Sequence, residues 1–168
     1  MARLLRVLPL LLVSLLLVGC NQPTVCGKRG GDEVLPISYW ITPSEPAVES
    51  VVAEHALGIN DYSRAVELYS YVTNLEFTPE AEGEDYWQLP YETISIMGGD
   101  CEDKAFLLHS LFLAAELDTT LVIGKYDDNP HSWVECEGYL FEVTNFSFPR
   151  KVEAACYEDY QEELRFIE

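Results

Sequence analysis

Residues 100–117 constrain the fold more than any other part of the chain, because they form a helical run that is apolar nearly all round. At helical spacing one face is formed by Ala105, Leu108, Leu111, Phe112 and Ala115, and Phe106, Leu107 and Leu113 make the remaining faces apolar too. A helix without a polar face must be covered by other elements. The sequence therefore predicts a central helix that begins after Asp100, a good N-cap residue.

Helical periodicity also precedes this segment. Residues 46–58 carry apolar side chains at helical spacing, and residues 62–75 form a second amphipathic pattern after the Asn60-Asp61 cap signal. Residues 78–90 have the prolines and the glycine of a loop, and a short helix or turn follows over residues 91–96.

Strand signals dominate after the central helix. Residues 119–126, 131–136 and 139–144 predict three strands, joined by a turn over residues 127–130 and a tight hairpin turn at Glu137-Gly138. Helices followed by a meander of strands predict an α+β fold, with N-terminal helices and the central helix packed on an antiparallel sheet. The tail over residues 154–165 fits either a short helix or a final strand.

The amino terminus has the pattern of a lipoprotein signal. Arg3 and Arg6 precede an apolar run over residues 7–18, which is short for a membrane span but suits a signal peptide. The run ends in Leu-Val-Gly before Cys20, which resembles a lipobox with Cys20 as the lipidated residue. An ordinary secretory signal or an uncleaved anchor is the alternative.

This pattern divides the chain into three parts. We interpret residues 1–19 as the signal peptide, residues 20–45 as a linker rich in proline and glycine, and residues 46–168 as one domain. Trp40 and Ile41 indicate that the end of the linker packs on the domain. We expect an extracytoplasmic domain that is tethered to the membrane through its lipid anchor.

Charge limits the partners of the chain. Without the signal peptide it carries 29 acidic and 8 basic residues, a formal charge of −21. Such a surface repels nucleic acid, so we expect no nucleic-acid partner. Cationic peptides or amine-bearing substrates would be attracted, although solubility alone also explains an acidic surface.

Five cysteines are present, and three of them, Cys26, Cys136 and Cys156, have no assigned role. Outside the cytoplasm one pair of these could oxidise. No CxxC motif and no zinc-type spacing of His and Cys occur, so we expect neither a metal nor a cofactor.

A cysteine, a histidine and a glutamate, the residue types that nucleophilic catalysis by a thiol uses, follow one another along the chain. Cys101 stands at the predicted start of the central helix, His131 on a strand, and Glu142 on the next strand. The helix dipole favours the thiolate of Cys101, whereas the neighbouring acidic residues disfavour it. Taken singly, each residue has a structural alternative: a core cysteine, a hydrogen-bonded strand histidine or a charge on an edge strand.

The hairpin brings the histidine and the acid together. A turn at Glu137-Gly138 sets residue 131 opposite 144, or 133 opposite 142. Glu142 then lies one diagonal step from His131, where a carboxylate can fix the imidazole tautomer and stabilise the imidazolium.

These segments resemble the transglutaminase-like core domain, in its prokaryotic lipoprotein type. The resemblance lies in Gly-Asp-Cys-Glu-Asp-Lys-Ala from residue 99, His-Ser-Trp-Val-Glu from residue 131 and the Glu-Val-Thr strand from residue 142. Residues 86–93 are also similar to the segment that precedes the cysteine in prokaryotic members, and the whole resemblance covers residues 60–145.

The resemblance implies a papain-like fold with Cys101 as nucleophile, His131 as base and Glu142 as the third member of a triad. The family usually has aspartate at the third position, so Glu142→Asp would restore the usual residue, and we expect it to sustain or raise the rate. For the oxyanion we expect the Cys101 backbone N–H, with Gln88 or Trp87 as side-chain donors, although both could be packing residues.

Two functions follow from this reading. The first is a cysteine-dependent acyl-transfer enzyme, which attacks a peptide or amide carbonyl of a protein substrate and hydrolyses or transamidates the thioester. The alternative is a non-catalytic peptide-binding or assembly module that kept the cleft.

The first testable prediction concerns the anchor. If Cys20 carries the lipid, Cys20→Ser should move the protein from the membrane fraction to the soluble fraction, because two or more acyl chains hold a protein stably at a bilayer. Fractionation of cells that express the wild type and the variant measures this. Equal partition of both would contradict lipid anchoring at Cys20.

Overall fold

The computed structural model describes residues 26–28, 34–81, 86–144, 149–152 and 160–167. The predicted signal peptide and Cys20, its expected lipidation site, therefore lie outside the described residues, as do Cys156 and part of the tail. Among the described helices none is long and apolar enough to cross a membrane.

Part of the predicted linker is ordered. Strand β1 (Cys26–Lys28) pairs antiparallel with β2 (Val34–Pro36), and a 3-10 helix follows over Ile37–Trp40. Trp40 is completely buried and its ring stacks on Phe106 of the central helix at 6.2 Å. The end of the linker thus packs on the domain as expected, whereas the β1–β2 pair had no clear signal in the sequence.

Two helices open the domain, α1 (Pro46–His55) and α2 (Asp61–Thr73). Helix α1 ends three residues before the predicted residue 58. Helix α2 begins at a capping box, in which the Ser63 backbone N–H donates to the Asn60 side chain at 2.9 Å. Both helices contact the central helix.

A short parallel strand pair follows, which the sequence analysis did not anticipate. Strand β3 (Glu76–Phe77) lies beside β4 (Gly98–Gly99), and helix α3 (Pro90–Ile96) lies between them in the chain. Proline at the first position of α3 and the left-handed Met97 (φ 57°) after it define its two ends.

The central helix α4 (Cys101–Ala114) confirms the prediction from the apolar run. Every residue from Asp103 to Phe112 is buried. Three polar side chains on α4 are held by partners in the surrounding elements: the Lys104 ammonium donates to the Leu75 carbonyl, the Ser110 hydroxyl accepts from the Thr42 N–H, and His109 contacts Thr119.

The main sheet has five strands in the order β8-β7-β6-β5-β9, and all neighbours are antiparallel. They are β5 (Thr119–Tyr126), β6 (Asn129–Cys136), β7 (Tyr139–Phe141), β8 (Arg150–Lys151) and β9 (Tyr160–Phe166). One face joins the core around α4 through Leu121, Val134 and Phe141, and Val122, Trp133 and Leu140 form a separate cluster. The α+β prediction is confirmed.

The predicted hairpin register is confirmed as well. Val134 pairs with Phe141 and Cys136 with Tyr139, across a turn at Glu137 (φ 51°) and Gly138 (φ 76°). Continued by one residue, this register sets Trp133 opposite Glu142. Two left-handed residues in succession match the right-handed twist of the strands, and glycine adopts this conformation without strain.

Two details differ from the expected strands. The turn before β6 consists of Asp127 and Asp128, both with positive φ, so β6 already begins at Asn129. Strand β7 ends at Phe141, and Glu142 lies just beyond the last ladder pair. The sequence left either a short helix or a final strand open for the tail. The described part of the tail forms a strand, β9.

His109 is a neutral histidine in the middle of the core. Its Nδ1 lies 3.2 Å from the Thr119 hydroxyl oxygen, and that hydroxyl donates to the Glu135 carbonyl. The hydroxyl oxygen therefore accepts a hydrogen bond from the Nδ1–H group, which fixes the neutral tautomer. Burial lowers the pKa of His109 from 6.5 to about 4.

This histidine predicts a loss of stability in mild acid. In the unfolded chain His109 takes up a proton below about pH 6.5, whereas in the folded protein it does so only near pH 4, so the free energy of unfolding falls between these values. Relative to His109→Leu, the wild type should lose about 3 kcal/mol from pH 7 to pH 4. Urea unfolding across this range measures it, with His109→Gln as a polar control. Parallel pH dependences of wild type and His109→Leu would contradict this account.

Candidate active site

Cys101 is the first residue of α4, and Asp100 is its N-cap. The thiol is partly exposed and lies 3.1 Å from a carboxylate oxygen of Glu102, to which it donates a hydrogen bond. Cys136 also has a free thiol, and it is buried on β6. Of Cys101 and Cys136, only Cys101 lines the cavity that is also lined by His131.

The surroundings of Cys101 favour the protonated thiol. Burial raises the pKa of Cys101 well above its ordinary range, and the charges of Glu102 and Asp100 raise it further. The Ser132 backbone N–H acts in the opposite direction but is the weaker influence. Burial is the largest cause and the acidic neighbours act in the same direction, so the thiol needs a base to become a nucleophile.

His131 on β6 is joined to Glu142 as the hairpin register predicts. Its Nε2 lies 2.8 Å from the Oε2 of Glu142, and both side chains are largely buried, with exposed fractions of 10% and 7%. Because Nε2 faces the acid, proton exchange with another group would use Nδ1. The Trp133 ring stacks near the imidazole, with centroids 6.3 Å apart.

Glu142 is bound at both carboxylate oxygens. While Oε2 faces His131, Oε1 accepts hydrogen bonds from the Thr144 hydroxyl at 2.8 Å and the Thr144 N–H at 3.1 Å. Burial raises the pKa of Glu142, but the interactions with His131 and Thr144 outweigh it, and the pKa is lower than usual. The side chain is therefore an anion at neutral pH, suited to orient the imidazole.

One open cavity brings the thiol and the imidazole together. It measures about 540 Å³ and is lined by Phe77, Cys101, Tyr126, Asn129, Pro130, His131 and Thr144. Phe77 comes from β3, Cys101 from α4 and His131 from β6, so the cavity opens where the two sheets meet the start of the central helix. A cavity of this size can accept a peptide segment.

Acidic side chains converge beside the cysteine. Oxygen or sulfur atoms of Asp100, Cys101 and Glu102 lie within 4.8 Å of one another, and so do oxygens of Glu80, Asp100 and Asp103. Chiefly because of burial, the pKa is raised to about 6 at Asp100 and to about 7 at Asp103 and Glu80. The Oδ1 atom of Asp100 is buried without a hydrogen-bond partner. Oxygen-rich groups of this kind suit a hard cation such as Ca²⁺.

The side-chain oxyanion candidates lie elsewhere. Gln88 donates its backbone N–H to Asp103 at 2.7 Å and lines a different cavity, while its side-chain oxygen accepts from the Thr93 hydroxyl at 3.4 Å. Trp87 packs its ring on Trp40 and Phe106. Neither residue lines the cavity with Cys101, and their oxyanion role stays a prediction.

Sequence reasoning missed Thr144, Asp103 and Phe77, besides Tyr126, Asn129 and Pro130 of the cavity lining. Thr144 had a signal, since alternation along a strand puts residues 142 and 144 on one face. Asp103 also had one, since an acid three residues after an N-cap has capping-box spacing, and its carboxylate holds the Asp100 and Gln88 N–H groups. Phe77 had none, because only the β3–β4 pairing brings it to the cavity.

Comparisons with known proteins agree with this architecture. A sequence model of the CEP76 peptidase-like domain matches residues 85–166, which include Cys101, His131 and Glu142. No curated protein sequence is significantly similar to the chain.

Solved structures are similar over most of the chain. Calcium-bound Legionella pneumophila LapG has a TM-score of 0.60 at 18% identity, and the match covers 71% of this chain and 72% of LapG. The EGTA-treated form of LapG gives 0.59 at 17% identity, over 71% and 70%. A candidate cysteine protease from Cytophaga hutchinsonii gives 0.53 at 16% identity, over 77% of this chain and 51% of that protein.

These likenesses are distant in sequence and concern the arrangement of the elements. The chain therefore shares the papain-like α+β fold of these proteins.

Proposed function

We propose that the protein is a cysteine-dependent acyl-transfer enzyme that cleaves peptide or amide bonds through Cys101, His131 and Glu142. The observation that carries this proposal is that Cys101 and His131 line one cavity, while Glu142 holds the far nitrogen of the imidazole at 2.8 Å. A nucleophile, a base and an orienting acid are the parts that such chemistry needs.

In the first half of the reaction, His131 removes the thiol proton of Cys101 as the sulfur attacks the carbonyl carbon of the substrate. The C–S bond forms and the carbonyl electron pair moves to oxygen, where the backbone N–H of Cys101 is a suitable donor. The tetrahedral intermediate then collapses to a thioester. The amine leaves with the proton that His131 had taken.

In the second half, His131 takes a proton from water as the water oxygen attacks the thioester. Collapse of this intermediate breaks the C–S bond, releases a carboxylic acid and returns the proton to the sulfur. An amine in place of water would give a new amide, so hydrolysis and transamidation share the same residues. Glu142 stays ionised throughout and stabilises the imidazolium.

The carboxylates beside the thiol are proposed to bind calcium, a site that the Cys and His spacings of the sequence do not predict. LapG, which shares the fold, binds calcium. Asp100 and Glu102 flank the thiol, and the buried Asp100 oxygen without a partner fits the need of a cation for oxygen ligands. Bound there, the cation would offset the negative charges that raise the pKa of Cys101.

We further propose that the enzyme works outside the cytoplasm, tethered through a lipid on Cys20. The basic and apolar signal pattern before Cys20 supports this proposal. Its substrate would then be a peptide or protein within reach of the membrane surface.

The catalytic assignment predicts a graded set of rates. Cys101→Ala and His131→Ala should each abolish cleavage, since either change disables the same step. Glu142→Gln should keep the fold and lower the rate by a smaller factor, up to about 10⁴-fold. Release of dye from labelled casein measures turnover. Peptide mapping after iodoacetamide treatment should show Cys101 labelled faster than Cys136.

The outcomes separate the two functions. An active preparation that keeps its rate after Cys101→Ala would contradict the catalytic role. A chain that cleaves nothing and whose Cys101 reacts no faster than Cys136 is instead the non-catalytic peptide-binding or assembly module. If Glu142→Gln has no effect while Cys101 and His131 stay essential, only the third member is wrong.

The calcium proposal predicts stabilisation that depends on Asp100. At 100 times its Kd, calcium should add about 2.7 kcal/mol and raise the thermal midpoint by roughly 5 to 10 °C over EGTA-treated protein. Asp100→Asn should remove this increase, whereas Glu49→Gln, an exposed acid on α1, should preserve it. Differential scanning fluorimetry measures both. An unchanged midpoint with calcium would refute the site.

A further inference from the structure

The carboxylate of Glu142 is held by two residues from opposite sides. His131 binds Oε2 at 2.8 Å, and Thr144 binds Oε1 through its hydroxyl at 2.8 Å and its N–H at 3.1 Å. The Glu142 backbone is fixed too, since the buried Tyr69 hydroxyl donates to its carbonyl at 2.6 Å. Both carboxylate oxygens and the backbone carbonyl of this glutamate are thus held by hydrogen bonds.

This support is needed because of where Glu142 lies. Strand β7 ends at Phe141, so no ladder pair holds the acid itself. Glutamate also has one more rotatable bond than aspartate, and an unsupported carboxylate would sample several rotamers. Only some of these rotamers would face His131.

We propose that Thr144 is a positioning residue that fixes the Glu142 carboxylate against His131, and that the two residues form a matched pair in which the longer acid is required. The proposal rests on the catalytic function proposed above. Its physical basis is that one carboxylate must span from the Thr144 hydroxyl to the imidazole nitrogen, with one oxygen for each.

The electrostatic state of the acid agrees with this geometry. Burial alone raises the pKa of Glu142, and the contacts to His131 and to the hydroxyl and N–H of Thr144 reverse that effect. Hydrogen bonds from Thr144 therefore help to keep the acid ionised in a largely buried position. An ionised acid is the form that orients the imidazole and stabilises its cation.

The pair also changes the expectation for Glu142→Asp. The family resemblance suggested that aspartate would sustain or raise the rate. In the structure, a shorter side chain would pull the carboxylate back by about one C–C bond, and it could then not reach both Thr144 and His131 at their present distances. We therefore expect Glu142→Asp to lower the rate.

Substitution at Thr144 provides the test in the full chain. Thr144→Val keeps the shape of the side chain and the backbone N–H but removes the hydroxyl, and it should lower kcat roughly 10-fold, as expected for a lost hydrogen bond to a charged group. Thr144→Ser restores a hydroxyl and should stay within about twofold of the wild type. Thr120→Val on β5, outside the cavity, is the matched control and should not change kcat.

Two readouts separate positioning from a merely structural role. In a Glu142→Gln background, Thr144→Val should cause no further loss of kcat, because Thr144 acts through the acid. Carbon-13 NMR of the Glu142 carboxyl should show its titration midpoint shifted to higher pH in Thr144→Val but not in Thr120→Val. An equal loss in the Glu142→Gln background, or wild-type kcat in Thr144→Val, would overturn the proposal.

The NMR experiment also keeps the two proposals distinguishable. If the wild type cleaves no substrate, the catalytic function fails, and the carboxyl titration still decides whether Thr144 holds Glu142. An unmoved midpoint in Thr144→Val overturns the pair whether or not the protein is an enzyme.

Discussion

Burial of helix α4 on every side is the constraint on which the rest of the structure depends. Apolar side chains alone would hold such a helix in place but would let it slide or rotate at small cost. The polar contacts of Lys104, Ser110 and His109 prevent this, because each of these side chains contacts a partner in a different part of the chain. The start of the helix, and with it Cys101, is therefore fixed relative to β6.

The acidic neighbours of Cys101 oppose the ionisation of its thiol. Glu102 lies within hydrogen-bond distance of the sulfur, and Asp100 is close by, so the isolated chain favours a resting thiol over a thiolate. Such an arrangement makes the reactivity of Cys101 depend on whatever lowers the local negative charge.

Much of the fold was predictable, and the reasons are local. The apolar run of α4, the β-branched run of β5 and the Glu137-Gly138 turn each carry a signal within a few residues, and the turn then fixes the register that joins His131 to Glu142. The β3–β4 pair and the position of Phe77 could not be predicted, because they depend on contacts between segments about twenty residues apart. The raised pKa values of Asp100 and Asp103 could not be predicted either. They result mainly from burial, and a single sequence does not show how deeply each of these side chains is buried.

The two-residue turn between β6 and β7 has a consequence for how this chain can change over evolution. Surface loops usually tolerate insertions and deletions. One residue more or less between Glu137 and Gly138 would slip the hairpin by one position and turn the acid to the other face of the sheet. The length of this turn is therefore as much a part of the site as the side chains, and a homologue with a longer turn would need its acid at a different place in the sequence.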